Sequence, residues 1–126
     1  MIEIIIFLIG CLSYLLDKNN CGKDNLILFT HHIINIFINF GWLSNNKILL
    51  YIYVLSPIIT IIHWKLNNNK CILTELHNKA CNNNTEFNDL FNMLGLKLYP
   101  FWNNYGHALY ITFCIIYVFI KLIKLS

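Results

Sequence analysis

The chain contains no arginine, and only 12% of its 126 residues are charged. Soluble domains carry about 25% charged residues, so this surface is not built for water. The 9 basic residues are all lysines, scattered between apolar runs to give a net charge of +3. Nucleic-acid binding wants a clustered basic face, and its absence excludes nucleic acid as a partner. The 5 cysteines include no Cys-x-x-Cys pair, which removes the common zinc and thioredoxin-like spacings. Phosphate loops, nucleophile elbows and zinc-protease helices are also missing. No catalytic residue is expected, and no motif specifies a biochemical activity.

What is present is apolar. Hydrophobic residues make up 57% of the chain, against ~45–50% in soluble domains. A short chain buries a smaller fraction of its surface than a long one, so lipid must cover the remainder. The expectation is an all-α integral membrane bundle of about four transmembrane helices in a single domain, with the lipid bilayer as its first partner.

The first apolar segment covers residues 2–16. It reaches only ~22 Å as a helix, which a tilted or thinned bilayer accepts. A cleaved signal peptide is the alternative, opposed by Glu3, by the lack of an early lysine and by the lack of a small-x-small cleavage site. The remaining segments cover 25–43, 47–64 and 107–122, close to the length that a hydrocarbon core requires. Ser44-Asn45-Asn46 turns the second segment into the third as an antiparallel hairpin. Trp42, Trp64 and Trp102 stand at segment ends, where amphipathic rings favour the headgroup level.

Residues 65–106 form a long polar connection. Within it Phe87, Leu90, Phe91 and Leu94 recur at helical spacing. Asn84 as N-cap and Gly95 as stop complete a short amphipathic helix, expected either to lie in the membrane interface or to pack on the outer ends of the bundle. The lysines at 18, 23, 65, 70, 79 and 97 share one face, called side A, and those at 47, 121 and 124 share the other, side B. The positive-inside rule then places side A, with the long connection, in the cytoplasm. Two features oppose it. Asn83-Asn84-Thr85 is an N-glycosylation sequon at Asn83, and the loop cysteines suit an oxidising compartment.

The last three segments each gather polar residues on one stripe: His31, Asn35 and Asn39; Ser56, Thr60 and His63 with Tyr53; His107, Tyr110 and Tyr117 with Cys114 and Lys121. Polar groups cost free energy against lipid, so the stripes are expected to face one another and bond across helices. His31 or His32, His63 and His107 would then approach near side A. Imidazole is the commonest metal ligand, and bundles build cofactor sites from facing helices, so a metal or haem site is one reading. Hydrogen-bonding glue is the other, favoured because no helix carries a His-x-x-x-His pair, and no cofactor is assigned.

Cys21, Cys71 and Cys81 lie in polar connections as free thiols or disulfide partners. If residues 71–81 form one helix, Cys71 and Cys81 stand ~15 Å apart, beyond disulfide reach. A bridge would need a bent connection between them, or Cys21 as partner to one of the two. The stretch His63-Trp64, Asn67-Asn68-Asn69, Cys71-Ile72-Leu73-Thr74 with Glu75 directly following resembles a motif of small multi-spanning membrane proteins of large DNA viruses and some microbes. The resemblance implies placement in a membrane, a host-cell or virion membrane for a viral member, and no activity. The functional expectation is a structural or protein-interaction role, as a homo-oligomer or with a membrane-protein partner. A redox or metal-binding protein is the alternative.

Overall fold

The computed structural model describes residues 1–23 and 25–126, which are helical and connecting segments without a β-strand among them. In chain order the helices are α1 (Ile2–Leu16), α2 (Asn25–Phe40), α3 (Lys47–Leu66), α4 (Ile72–Cys81), α5 (Leu90–Met93) and α6 (His107–Leu125). A 3₁₀ turn, Gly41–Leu43, extends α2. A π-helical turn, Trp102–Gly106, leads into α6. Three stretches, Asn25–Leu43, Lys47–Leu66 and Trp102–Leu125, are long and apolar enough to cross a membrane, and α1 is a shorter apolar helix. Among the described residues the fold is all-α, with three helices that could span a membrane.

Local chemistry sets the element ends. Asn46 caps α3 by accepting from the Ile48 and Leu49 amides at 2.9 and 3.3 Å. The asparagine runs end helices by a different route. Asn68, Asn69 and Asn82 adopt positive φ angles of 54°, 62° and 51°, a conformation that asparagine tolerates better than most residues. Asn69 thereby donates its amide to Trp64 O at 2.7 Å and closes α3.

The last apolar helix begins earlier than residue 107. Pro100 stands in its first turn, where a missing N–H costs nothing. The π turn then carries the chain without interruption into α6.

α1 runs antiparallel along α2. Its buried residues are Ile6, Gly10 and Ser13, those of α2 are Leu28, His32, Ile36 and Asn39, and across the crossing Ser13 meets His32. A Cβ on Gly10 would stand 2.6 Å from Ile33 Cδ1, so glycine sets how closely these helices approach. Leu50 and Tyr53 of α3 pack with Cys114, Val118 and Leu122 of α6 in a second core. His107 and Lys121 lie ~21 Å apart along α6. Yet both bond to the end of α2, at Asn39 and at the carbonyls of residues 42–44. α6 therefore crosses that end obliquely and does not run alongside α2.

The long connection differs from expectation. Its amphipathic helix is α4, and the helix foreseen between Asn84 and Gly95 contracts to the single turn of α5, capped by Asp89 on the Asn92 amide at 2.7 Å. Phe87 and Phe91 turn inward: Phe87 stacks on His31 at 3.6 Å, and Phe91 meets Trp102, His107 and Tyr110 edge-on. These aromatic contacts hold residues 83–93 against the bundle, so an extended approach displaces the continuous helix. A Cys21–Cys81 disulfide, Cα–Cα 5.8 Å, ties the connection after α1 to the end of α4.

Candidate functional site

The close crossing of α1 and α2 brings three polar side chains together. Ser13 and Asp17 share a face of α1 and its end, and His32 of α2 enters between them. Ser13 Oγ lies 2.7 Å from His32 Nδ1, and His32 Nε2 lies 2.7 Å from Asp17 Oδ2. Exposure is 0% for Ser13, 0% for His32 and 6% for Asp17, so water plays little part. An ionised carboxylate only accepts, which assigns the Nε2 hydrogen to the bond with Asp17. In the neutral ring Nδ1 is then free to accept the Ser13 hydroxyl hydrogen. The other Asp17 oxygen takes the Asn19 amide at 2.8 Å. Asp17 stands at the C-terminal end of α1, where the helix dipole opposes a negative charge, and His32 offsets that cost.

Serine, imidazole and carboxylate in line is the order used for nucleophilic catalysis. Access decides against that use here. The cavity beneath the neighbouring connections, lined by Asp17, His31, His77 and Phe87 among others, holds about 10 Å³, the size of one water. A larger cleft of about 160 Å³ opens between α1, α2 and the start of α3, but Ile6, Phe7, Ile33, Phe37 and Leu49 line most of it. The three-residue chain therefore holds helices together.

The connections on side A form a cap. His31, stacked under Phe87, places Nε2 3.6 Å from Cys71 Sγ. His63 Nε2 accepts the Ile72 amide at 3.0 Å and thereby caps α4. Buried His77 donates from Nε2 to Asn19 O at 3.1 Å, beside Cys81 of the disulfide. Cys71 is a free, half-buried thiol.

A third polar group joins α2 to α6. His107 Nε2 donates to Asn39 Oδ1 at 2.8 Å, and Asn39 Nδ2 donates to Asn35 O at 2.8 Å. Tyr110 donates to Asn39 O at 2.7 Å. The Trp42 indole N–H is shared between Asn39 O and Tyr110 Oη, both at 3.1 Å. Trp42 thus takes part in the seam through its indole N–H. On side B, Lys121 Nζ donates to the carbonyls of Trp42, Leu43 and Ser44, and Ser44 Oγ donates to Glu3 Oε1 at 2.6 Å.

The four histidines considered for a metal site are dispersed: His31 to Cys71, His32 to Ser13 and Asp17, His63 to α4, His107 to Asn39. Among the described residues no three His, Cys, Asp or Glu side chains converge as metal ligands. The oblique path of α6 is the reason that His107 stands apart, beside Asn39 and not beside His31. Of the α3 stripe, Ser56 and Thr60 stay out of the seam. Ser56 and Thr60 bond back to Ile52 O and Ser56 O of their own helix. Tyr53 is buried, with its hydroxyl unpaired within the described residues. Tyr117 lies outside, edge-on to Trp42.

Ser13, Asp17 and the Glu3–Ser44 pair were not foreseen. Their signal was available, because Ile6, Gly10, Ser13 and Asp17 follow helical spacing within an otherwise apolar segment. No protein-family model, curated protein or solved structure matches the chain.

Proposed function

We propose that this is a four-span membrane protein, α1 being the short fourth span, whose role is structural: it packs against partner proteins or copies of itself through outward apolar helix faces. The observation that supports this is the direction of the side chains. Leu55, Ile58, Ile59, Ile61 and Ile62 of α3, and Phe113, Ile116, Phe119 and Ile120 of α6, are all exposed, while Ser13, His32, Asp17 and Asn39 are buried. Interhelical contact in lipid rests on packing and hydrogen bonds, and Ser13, His32, Asp17 and Asn39 inside are already engaged. What remains for outside contact is the apolar face of α3 beyond Val54, which α6 leaves uncovered.

A photo-crosslinker at Ile59, which is 63% exposed, tests the reading in native membranes. Discrete protein adducts are expected. Adducts to lipid alone overturn the interaction role. Labelling of Ser13 by a fluorophosphonate probe, lost in Ser13→Ala, would instead make the buried chain a nucleophilic site.

A second reading, redox or metal chemistry, is favoured by Cys71 Sγ at 3.6 Å from His31 Nε2, since a thiol beside an imidazole is a reactive pairing. Metal analysis and an absorption spectrum of detergent-purified protein separate the two readings. Stoichiometric metal or a haem band supports the second, and background metal with no visible band supports the first.

A further inference from the structure

We infer that side A, carrying the disulfide-tied cap, faces an oxidising lumenal compartment, and that Asn83 there accepts an N-linked glycan. Two independent requirements meet within a few residues. The Cys21–Cys81 bond joins the connection after α1 to the last residue of α4. Such bonds form and persist in the lumen or outside the cell and are rare in cytosol. Two residues beyond Cys81 begins Asn83-Asn84-Thr85, an acceptor sequence used only on that same side.

The local geometry suits a modified turn. Asn82 ends α4 in the left-handed conformation at φ 51°. The Asn83 amide then donates to Asn78 O at 3.1 Å, and Asn78 Nδ2 donates to Thr85 O at 2.9 Å. The turn is therefore pinned to α4 through Asn78 and does not depend on the Asn83 side chain. Asn82, Asn84, Thr85 and Glu86 are exposed around it, which leaves room for a sugar. Asn83 itself is half-buried, and its carboxamide oxygen lacks a partner among the described residues. Linkage is made through Nδ2 and leaves that oxygen in place.

The lysine count points to the opposite orientation, but that rule describes a bias, and long loops translocate largely regardless of charge. A covalent bond between two side-A connections weighs more. Of the lysines assigned to side B, Lys121 caps backbone carbonyls.

The test is synthesis of the full chain with endoplasmic-reticulum vesicles. A single step in mobility is expected, reversed by peptide-N-glycosidase, lost in Asn83→Gln and Thr85→Ala, and retained in Thr85→Ser. Maleimide is expected to modify Cys21 and Cys81 only after reduction. Membrane-inserted wild-type protein that shows no glycosidase-sensitive step, or whose Cys21 and Cys81 react without reduction, overturns the inference. The Thr85→Ser variant separates a missing sequon from a misfolded chain.

Discussion

Ser13 Oγ and His32 Nδ1 lie 2.7 Å apart with neither side chain exposed to any degree, and the same imidazole holds Asp17 at 2.7 Å. One ring thus satisfies two polar groups of α1 from α2. In an apolar surround the cost of leaving either unpaired exceeds the gain from pairing it.

His32→Ala strands the Asp17 carboxylate and is expected to lower stability by ~3–5 kcal/mol. Ser13→Ala removes one neutral partner and is expected to cost ~1 kcal/mol. The double variant His32→Ala with Asp17→Leu removes both ends of that hydrogen bond and is expected to recover much of the loss, because no lone charge stays buried. Unfolding midpoints in detergent check the order. Equal midpoints for His32→Ala and the double variant would show that Asp17 is not buried as an ion.

Two glycines support close approaches of different rigidity. At Gly10 the nearest atom to an added Cβ is Ile33 Cδ1 at 2.6 Å, the free end of a flexible chain. At Gly41 the neighbours are ring carbons of Tyr53 and Phe37 at 2.8 and 2.9 Å. Those rings pack edge to face, with centroids 5.9 Å apart, and cannot swing aside independently. Gly41→Ala is therefore expected to cost ~1–3 kcal/mol through overpacking, and Gly10→Ala clearly less. Gly10→Leu exceeds what Ile33 can yield and should approach the Gly41→Ala loss, with partial rescue by Ile33→Ala. The same detergent unfolding series measures all four.

The sequence carried the apolar segments because hydropathy and length act locally: 2–16, 47–64 and the hairpin at Ser44-Asn45-Asn46 correspond to α1, most of α3 and the turn before it. It also carried the exclusion of a Cys71–Cys81 bridge, which follows from helix rise once 72–81 is helical. The depth at which α6 crosses was not legible. Stripe periodicity fixes the rotation of a helix about its axis and says nothing of its inclination, so His107 could not be placed beside Asn39. The helix foreseen at Phe87 and Phe91 failed for a related reason. Helical spacing of aromatics describes one way to align them, and His31 and Trp102 supply pockets that align them without a continuous helix. Ser13 and Asp17 were overlooked because a lone serine in an apolar run and an aspartate at its end each read as unremarkable until His32 meets both.

Lys121 illustrates a cation placed where helix ends need one. Its ammonium donates to the carbonyls of Trp42, Leu43 and Ser44, which have no further helical turn to receive them. Lys121→Met is expected to lose ~1.5–3 kcal/mol, the range for hydrogen bonds to a charged group. Lys124→Met, an exposed position in the last turn of α6, should stay within ~0.5 kcal/mol. Comparable losses for the two would mean that Lys121 acts through general charge and not through those carbonyls.

The disulfide closes a sequence separation of 60 residues, and chain-entropy arguments assign about 4 kcal/mol to a loop of that size. The unfolded state in a membrane is already confined by its spans, so less entropy remains to be removed, and ~2–3 kcal/mol is the expected loss for Cys21→Ser. Cys71→Ser is expected to cost less, since it forfeits only the contact to His31. The two changes also differ in reach. Cys21→Ser loosens the cap, where His77 meets Asn19 and Asn19 Nδ2 meets Glu86 O at 3.4 Å, so amide exchange should rise across 72–88. It should stay unchanged in α6 beyond Cys114, whose packing partners, Leu50 and Tyr53, lie on α3. Uniform acceleration along the whole chain would show that the bridge sustains the bundle itself and not the cap.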